Sequence, residues 1–144
     1  MMLLSDWDNK DARDAEKRGT NTAIYQRGEL LYYFIDDWGG AMGRWGKYFT
    51  RSKWNADGFL KQSSDFVSWK DGNLSWGYVG QHSDLLKDGV KPADVRWLMQ
   101  YLGRVTDEQL RSGLLSSGAS DKEAAIYLKA LRIRFAALQI VVPE

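Results

Sequence analysis

The sequence has no cysteine and a single histidine, His82, and these absences exclude several classes of site. Without cysteine there is no disulfide, no thiol nucleophile and no Cys-ligated zinc or iron–sulfur site. One histidine excludes any site that needs two, and no Ser–His–Asp order can be proposed for it. We therefore interpret His82 as a structural hydrogen-bonding residue, and we expect a cytoplasmic protein, a compartment that the absence of cysteine fits.

Long apolar runs and a net charge of one sign are also missing. The longest apolar runs fall far short of the roughly 18–20 residues that cross a bilayer, so we expect neither a signal peptide nor a membrane span. Twenty Lys and Arg oppose 19 Asp and Glu, for a net charge of +1, which provides no basic field for duplex DNA. The 144 residues, 44% of them hydrophobic, are enough for one globular domain over 1–144.

The chain changes character near residue 85. Residues 1–50 hold a hairpin and polar loops, residues 51–84 are rich in tryptophan, and residues 85–142 have helical periodicity. We therefore predict an α+β fold, in which an N-terminal β-hairpin and loops pack on a mainly helical C-terminal half.

Three helices are predicted in that half from their start and stop signals. The first begins at Pro92 and stops at Gly103. A capping-box pair begins each of the other two helices. The second helix is predicted from about 107 to 117, and the third stops before Pro143. The pairs are Thr106 with Gln109 and Ser120 with Glu123.

Two β-hairpins are predicted upstream. The first joins residues 22–25 to 30–36 through a glycine turn, and the second joins 66–69 to 74–76. Residues 30–35 read Leu-Leu-Tyr-Tyr-Phe-Ile and are apolar at every position. Because this strand does not alternate, we expect it to be buried on both faces.

That strand runs into Asp36 and Asp37 and then into a glycine-rich loop, residues 38–46. Paired carboxylates at the mouth of such a loop favour a hard divalent cation. An ordinary turn, in which an aspartate caps backbone N–H groups, explains the same pattern. Neither Gly-x-Gly-x-x-Gly nor a Walker A sequence is present, so any phosphate binding here would depend on a metal ion.

Four features occur in the order of the parts of a kinase catalytic lobe. They are Asp8, Lys10, Asn21 before the first hairpin, and Asp37-Trp38-Gly39 after it. In such a lobe a carboxylate accepts the proton of the substrate hydroxyl and a lysine neutralises the transferring phosphoryl group. Asparagine and aspartate oxygens hold Mg²⁺ on the phosphates.

On these motifs the chain resembles the C-terminal lobe of divergent bacterial protein-kinase-like phosphotransferases, near the HipA-type and phosphatidylinositol-kinase-like enzymes. The matching stretches are Trp7-Asp8-Asn9-Lys10-Asp11 and Asp37-Trp38-Gly39-Gly40-Ala41-Met42-Gly43. The resemblance extends through Gly80-Gln81-His82 and the three terminal helices.

The resemblance implies roles for four side chains. Asp8 would be the catalytic base, Lys10 would neutralise phosphate charge, and Asn21 and Asp37 would be metal ligands. This chain departs from the family at residue 13, which is Arg where the family has Asn, and Asn21 follows a charged stretch.

The resemblance also implies Mg²⁺ and ATP as cofactors, with Gly39 and Gly40 at the nucleotide, and an unknown phosphate acceptor. The family clamps ATP with an N-terminal lobe that lies outside this sequence, so we expect little activity without that lobe. The apolar residues 1–4 resemble the end of a helix.

The tryptophan-rich centre supports an alternative of another class, a stand-alone interaction module that binds a glycan or a protein partner. Its aromatic residues are Trp38, Trp45, Trp54, Trp69, Trp76 and Tyr78. Large aromatic residues more commonly form a hydrophobic core, and a core role for these residues is the simpler interpretation. Arg44, Lys47, Arg51 and Lys53 make a local basic patch, which suits either phosphate contact or a solvated loop.

Overall fold

The computed structural model of the protein describes residues 2–8, 22–80, 87 and 89–141. Within them two antiparallel hairpins precede most of the helical residues, so the predicted α+β class is confirmed. The first hairpin pairs β1 (Thr22–Arg27) with β2 (Leu30–Ile35), and the second pairs β3 (Val67–Lys70) with β4 (Asn73–Trp76). A 3-10 helix, Met2–Leu4, comes first.

The α-helices are α1 (Ala56–Lys61), α2 (Pro92–Leu102), α3 (Asp107–Ser116) and α4 (Asp121–Ile140). Both predicted capping boxes form: Thr106 Oγ1 accepts from the Gln109 amide at 3.1 Å, and Ser120 Oγ accepts from the Glu123 amide at 3.3 Å. The bounds of the three terminal helices follow the sequence prediction closely, because caps and periodicity are local signals.

Helix α4 organises the core, because it packs against α1, α2, α3 and β3. Its apolar residues contribute to two adjoining clusters. One cluster contains Trp7, Trp45, Phe66, Val67, Tyr78, Val95, Leu138 and Val141. The other contains Ala41, Met42, Ala56, Phe59, Tyr127, Ala130, Leu131 and Phe135. The loops around residues 7 and 41–45 are therefore anchored in the core, which fixes the position of the site described below.

The prediction that β2 is buried on both faces is wrong. Leu30 to Phe34 are all exposed, and Ile35 alone in the strand is half-buried. The hairpin forms with the expected turn, in which Gly28 adopts a φ of 62°. However, its large side chains belong to neither core cluster. The apolar sequence correctly predicted a strand at these residues, but it did not predict how much of that strand is exposed.

None of the helices in the described ranges combines the length and the apolarity that crossing a membrane requires.

Candidate functional site

The acidic segment at residues 6–8 lies directly against the loop that follows Asp37. Gly40 is buried there, and a Cβ atom at its position would lie 2.9 Å from Asp8 Cβ and 3.1 Å from the Asp8 amide nitrogen. A side chain at residue 40 would therefore force the Asp8 segment to shift, so the observed close approach depends on glycine. The structure thus brings together Asp8 and the Gly39-Gly40 loop, two of the sites that the resemblance implies.

Asp37 is exposed and begins that loop. One of its carboxylate oxygens, Oδ1, accepts a hydrogen bond from the Gly39 amide at 2.7 Å. This is the capping contact that the ordinary-turn interpretation requires. The strand before Asp37 is exposed rather than buried, so β2 forms no apolar wall around the two aspartates.

Asp6 is a buried acid in the same place, to which sequence reasoning gave no role. Its Oδ1 lies 3.0 Å from the Cβ position of Gly40, and its backbone oxygen accepts a hydrogen bond from Tyr78 Oη at 2.5 Å. Burial raises the pKa of Tyr78 above its ordinary range, and the negative charges of Asp6 and Asp8 raise it further. The sequence contained one indication that Asp6 lies at this site, because Asp6 comes two residues before Asp8 in the same acidic segment.

Positive charge lies beside this acidic segment. The Arg51 guanidinium stacks on the Trp7 ring with its Cζ 3.9 Å from the ring centroid, and Lys53 Nζ is 5.7 Å from the same centroid. Trp7 itself is buried, and its indole nitrogen donates to the Ser52 carbonyl at 2.9 Å. Two members of the predicted basic patch therefore adjoin the residue that precedes Asp8.

On the other side of the loop, an apolar cavity of about 350 Å³ opens between residues 38–42 and helix α3. The exposed indoles of Trp38 and Trp54 contribute to its wall. Two wall residues adopt left-handed backbone conformations, Met42 with φ of 58° and Trp54 with φ of 44°. Such values are unusual for large side chains and require support from the surroundings.

That support comes from backbone pairing between the two segments of the wall. The Trp54 amide donates to the Ala41 carbonyl at 3.1 Å, and the Asn55 amide donates to the Met42 carbonyl at 2.9 Å. Tyr127 Oη from α4 also donates to the Met42 carbonyl, at 2.9 Å. Met42 is thus held in place by the core helix, and Trp54 is held by backbone pairing with Ala41.

The tryptophan-rich region is divided between core and surface. Trp45 and Tyr78 are buried in the first cluster, as the simpler interpretation expects. Trp38, Trp54 and Trp69 are exposed, so for these residues that interpretation is wrong.

Three of the predicted residues, Lys10, Asn21 and His82, lie outside the described residues. Among those that are described, no three His, Asp or Glu side chains gather as a group able to hold a metal ion. Mg²⁺ is commonly held by one or two carboxylates together with substrate phosphates. Asp37 and Asp8 each provide one carboxylate, on the loop and on the segment that adjoins it.

Comparison of the chain with protein-family models, with curated proteins and with solved structures found no match in any of the three.

Proposed function

We propose that this chain is the C-terminal portion of a kinase-like phosphotransferase, which transfers a phosphoryl group from a nucleoside triphosphate to an acceptor hydroxyl. The observation that carries the proposal is the close approach of Asp8 to the loop that begins at Asp37, through Gly40. Residues 8 and 37 are far apart in sequence, and a phosphotransferase needs a base and a metal ligand on neighbouring loops.

Each described residue has a definite task in this proposal. Asp8 accepts or orients the proton of the acceptor hydroxyl, which increases the nucleophilicity of its oxygen. Asp37 would hold the metal ion, and the backbone of Gly39 and Gly40 would border the phosphates. The bound Mg²⁺ would supply neutralisation of the charge on the transferring phosphoryl group.

Arg51 and Lys53 support this arrangement electrostatically. Their charges lie next to Trp7 and so beside the acidic segment, where a polyphosphate would otherwise meet only carboxylates. Lys10 and Asn21 retain their implied roles as a phosphate-neutralising residue and a second metal ligand.

The test is a nucleotide titration followed by amide NMR spectra, with Mg²⁺ and a non-hydrolysable ATP analogue. We expect the amide signals of Gly39 and Gly40 to shift when both are present. Asp37→Asn should abolish the Mg²⁺-dependent part of the shift, because an amide is a much poorer ligand for Mg²⁺ than a carboxylate. The Asn side-chain oxygen can still accept from the Gly39 amide, so the turn should persist.

Asp36→Asn is the matched control, since it removes the same charge from the neighbouring exposed position. It should leave the shifts of Gly39 and Gly40 nearly unchanged. Absence of any shift at these glycines in the unmodified protein would contradict the proposal, as would equal losses in the two variants.

A second candidate is the stand-alone interaction module, and the cavity beside Trp38 and Trp54 favours it. Strained backbone at Met42 and Trp54 is a feature that clusters at binding sites. The wall of the cavity is mostly apolar, which suits an apolar side chain of a protein partner better than a glycan. In this case Asp37→Asn leaves binding intact, whereas Trp54→Ala removes one wall of the cavity and weakens it.

A further inference from the structure

The β1–β2 hairpin exposes apolar side chains on both of its faces. Opposite residues in the register share a face, so Tyr25, Leu30, Tyr32 and Phe34 lie on one side, and Ile24, Leu31 and Tyr33 lie on the other. Their exposed fractions range from 47% for Tyr32 to 68% for Leu31. An exposed apolar surface of this kind marks an interaction site in soluble proteins.

A two-stranded hairpin is only marginally stable in water without packing on one face. Here the large side chains of β1 and β2 take no part in either core cluster. Both strands of a two-stranded sheet are also edges, with unpaired backbone groups on their outer sides. Packing of another surface against the hairpin would therefore stabilise it.

Apart from Met1, the stretches of sequence outside the described residues are poor in large apolar side chains. Residues 9–21, which lead into the hairpin, read Asn-Lys-Asp-Ala-Arg-Asp-Ala-Glu-Lys-Arg-Gly-Thr-Asn, with two alanines as their apolar content. Residues 81–86, 88 and 142–144 add two leucines and one valine. Neither set of residues supplies apolar side chains comparable with the seven of the hairpin, whereas a second copy of the chain supplies the same seven.

The area and charge of the hairpin suit a second copy. A large aromatic side chain buries about 150–250 Å². Seven large side chains that are 47–68% exposed thus provide several hundred Å² over the two faces of the hairpin, at or below the ~800 Å² per partner in a stable interface. Arg27 and Glu29 are the charged residues of 22–35, and they cancel, so two copies of the hairpin would not repel each other.

We propose that the β1–β2 hairpin is a homodimerisation arm, which packs against the hairpin of a second copy across a two-fold axis. An isologous interface needs a self-complementary patch, and a mainly apolar ribbon with no net charge is one. This inference is independent of the proposed phosphotransferase function, since it uses neither Asp8 nor Asp37.

The first test is the mass in solution, measured by sedimentation over a dilution series of the unmodified protein. We expect a species of twice the chain mass of 16.5 kDa that dissociates on dilution. The double variant Leu31→Lys/Tyr32→Lys places one charge on each face of the hairpin and should give monomer throughout. The helical part of its far-UV circular dichroism should be unchanged, because neither side chain belongs to the core.

The matched control is Trp97→Lys/Tyr101→Lys, which places two charges on an exposed aromatic pair of α2. This variant should remain dimeric. A monomeric wild type at every concentration would overturn the proposal and leave a different protein as the cover of the hairpin. Equal dissociation of both double variants would overturn it as well.

A second measurement does not depend on the folding of the lysine variants. Because the chain contains no cysteine, Tyr33→Cys introduces a unique thiol on the hairpin, and Tyr101→Cys introduces one on α2. Mild oxidation should link Tyr33→Cys into disulfide dimers many times faster than Tyr101→Cys. Equal rates of cross-linking would contradict a hairpin interface.

Discussion

Arg134 is a fully buried cation in the middle of helix α4, and it joins three separate parts of the chain. Its guanidinium donates to the Leu3 carbonyl at 2.7 Å, to Ser5 Oγ at 2.8 Å and to Ser63 Oγ at 3.0 Å. Its Cζ also lies 3.6 Å from the centroid of the Phe59 ring. Burial lowers the pKa of Arg134 to about 9, since a charged group loses hydration in the core.

We expect Arg134→Ala to lower the free energy of unfolding by about 3 kcal/mol or more, because it leaves buried acceptors unpaired and opens a cavity. Urea unfolding followed by tryptophan fluorescence measures the loss. The matched control is Arg132→Ala on the same helix, where the side chain is partly exposed and pairs with Asp107 at 2.6 Å. That change should cost about 1 kcal/mol or less, and equal costs would contradict the central role of Arg134.

At the scale of elements, helix α4 depends on its N-terminal cap as well as on its packing. The Ser120 side chain accepts from the Glu123 amide, and Glu123 Oε2 in turn accepts from the Ser120 amide at 2.9 Å. The Ser120 hydroxyl also donates to Glu123 Oε2, and these bonds hold the pKa of Glu123 below its usual value. Two otherwise unpaired backbone donors are satisfied in this way.

Ser120→Ala removes the cap and should lower the free energy of unfolding by about 1 kcal/mol. Thermal unfolding followed by circular dichroism measures the difference. Ser112→Ala, at an exposed position inside α3, is the control, and it should be within about 0.5 kcal/mol of the unmodified protein. A larger loss from Ser112→Ala than from Ser120→Ala would show that the cap adds nothing.

At the scale of the whole molecule, three buried groups determine how stability responds to alkaline pH. Burial, with a smaller contribution from the charge of Glu123, raises the pKa of Tyr127 to about 12 from its ordinary value of 10. Its contribution to stability is fully present below pH 10 and is lost as the pH rises through 12. The raised pKa of Tyr78 acts in the same direction, whereas the lowered pKa of Arg134 acts in the opposite one.

Tyr127→Phe should therefore make the free energy of unfolding fall less steeply between pH 10 and pH 12. It should also lower stability at pH 10 by about 1 kcal/mol, since the bond from Tyr127 Oη to the Met42 carbonyl is lost. Urea unfolding at both pH values measures the two effects. Tyr101→Phe, at an exposed position, is the control, and an unchanged slope in Tyr127→Phe would contradict the prediction.

Much of the fold follows from the sequence because its signals are local. The capping boxes at Thr106 and Ser120 and the turn at Gly28 determine where elements begin and reverse, and each depends on residues within one turn. Burial is not local. The apolar strand Leu30–Ile35 predicts a covered strand, yet within a single chain it is exposed, because periodicity does not reveal which surface faces it.

The candidate site also has some features that the sequence predicts and others that need the tertiary structure. Asp8 and Asp37 could be selected from residue type and order, and their carboxylate chemistry needs no structure. The approach of Asp8 to Gly40, the burial of Asp6 against Tyr78 and the strained wall at Trp54 required the tertiary structure. These contacts join residues tens of positions apart, and their geometry depends on how the loops are anchored in the core.

The sequence by itself therefore determined the α+β class, the terminal helices with their caps, and the residue types available for chemistry. Local hydrogen bonds and hydrophobic periodicity suffice for these features. Only the tertiary structure decided that Arg134 is a core residue, that Asp8 adjoins the loop after Asp37, and that the first hairpin lies exposed. Each of these depends on which distant segments pack together, and that depends on the free energy of the whole chain.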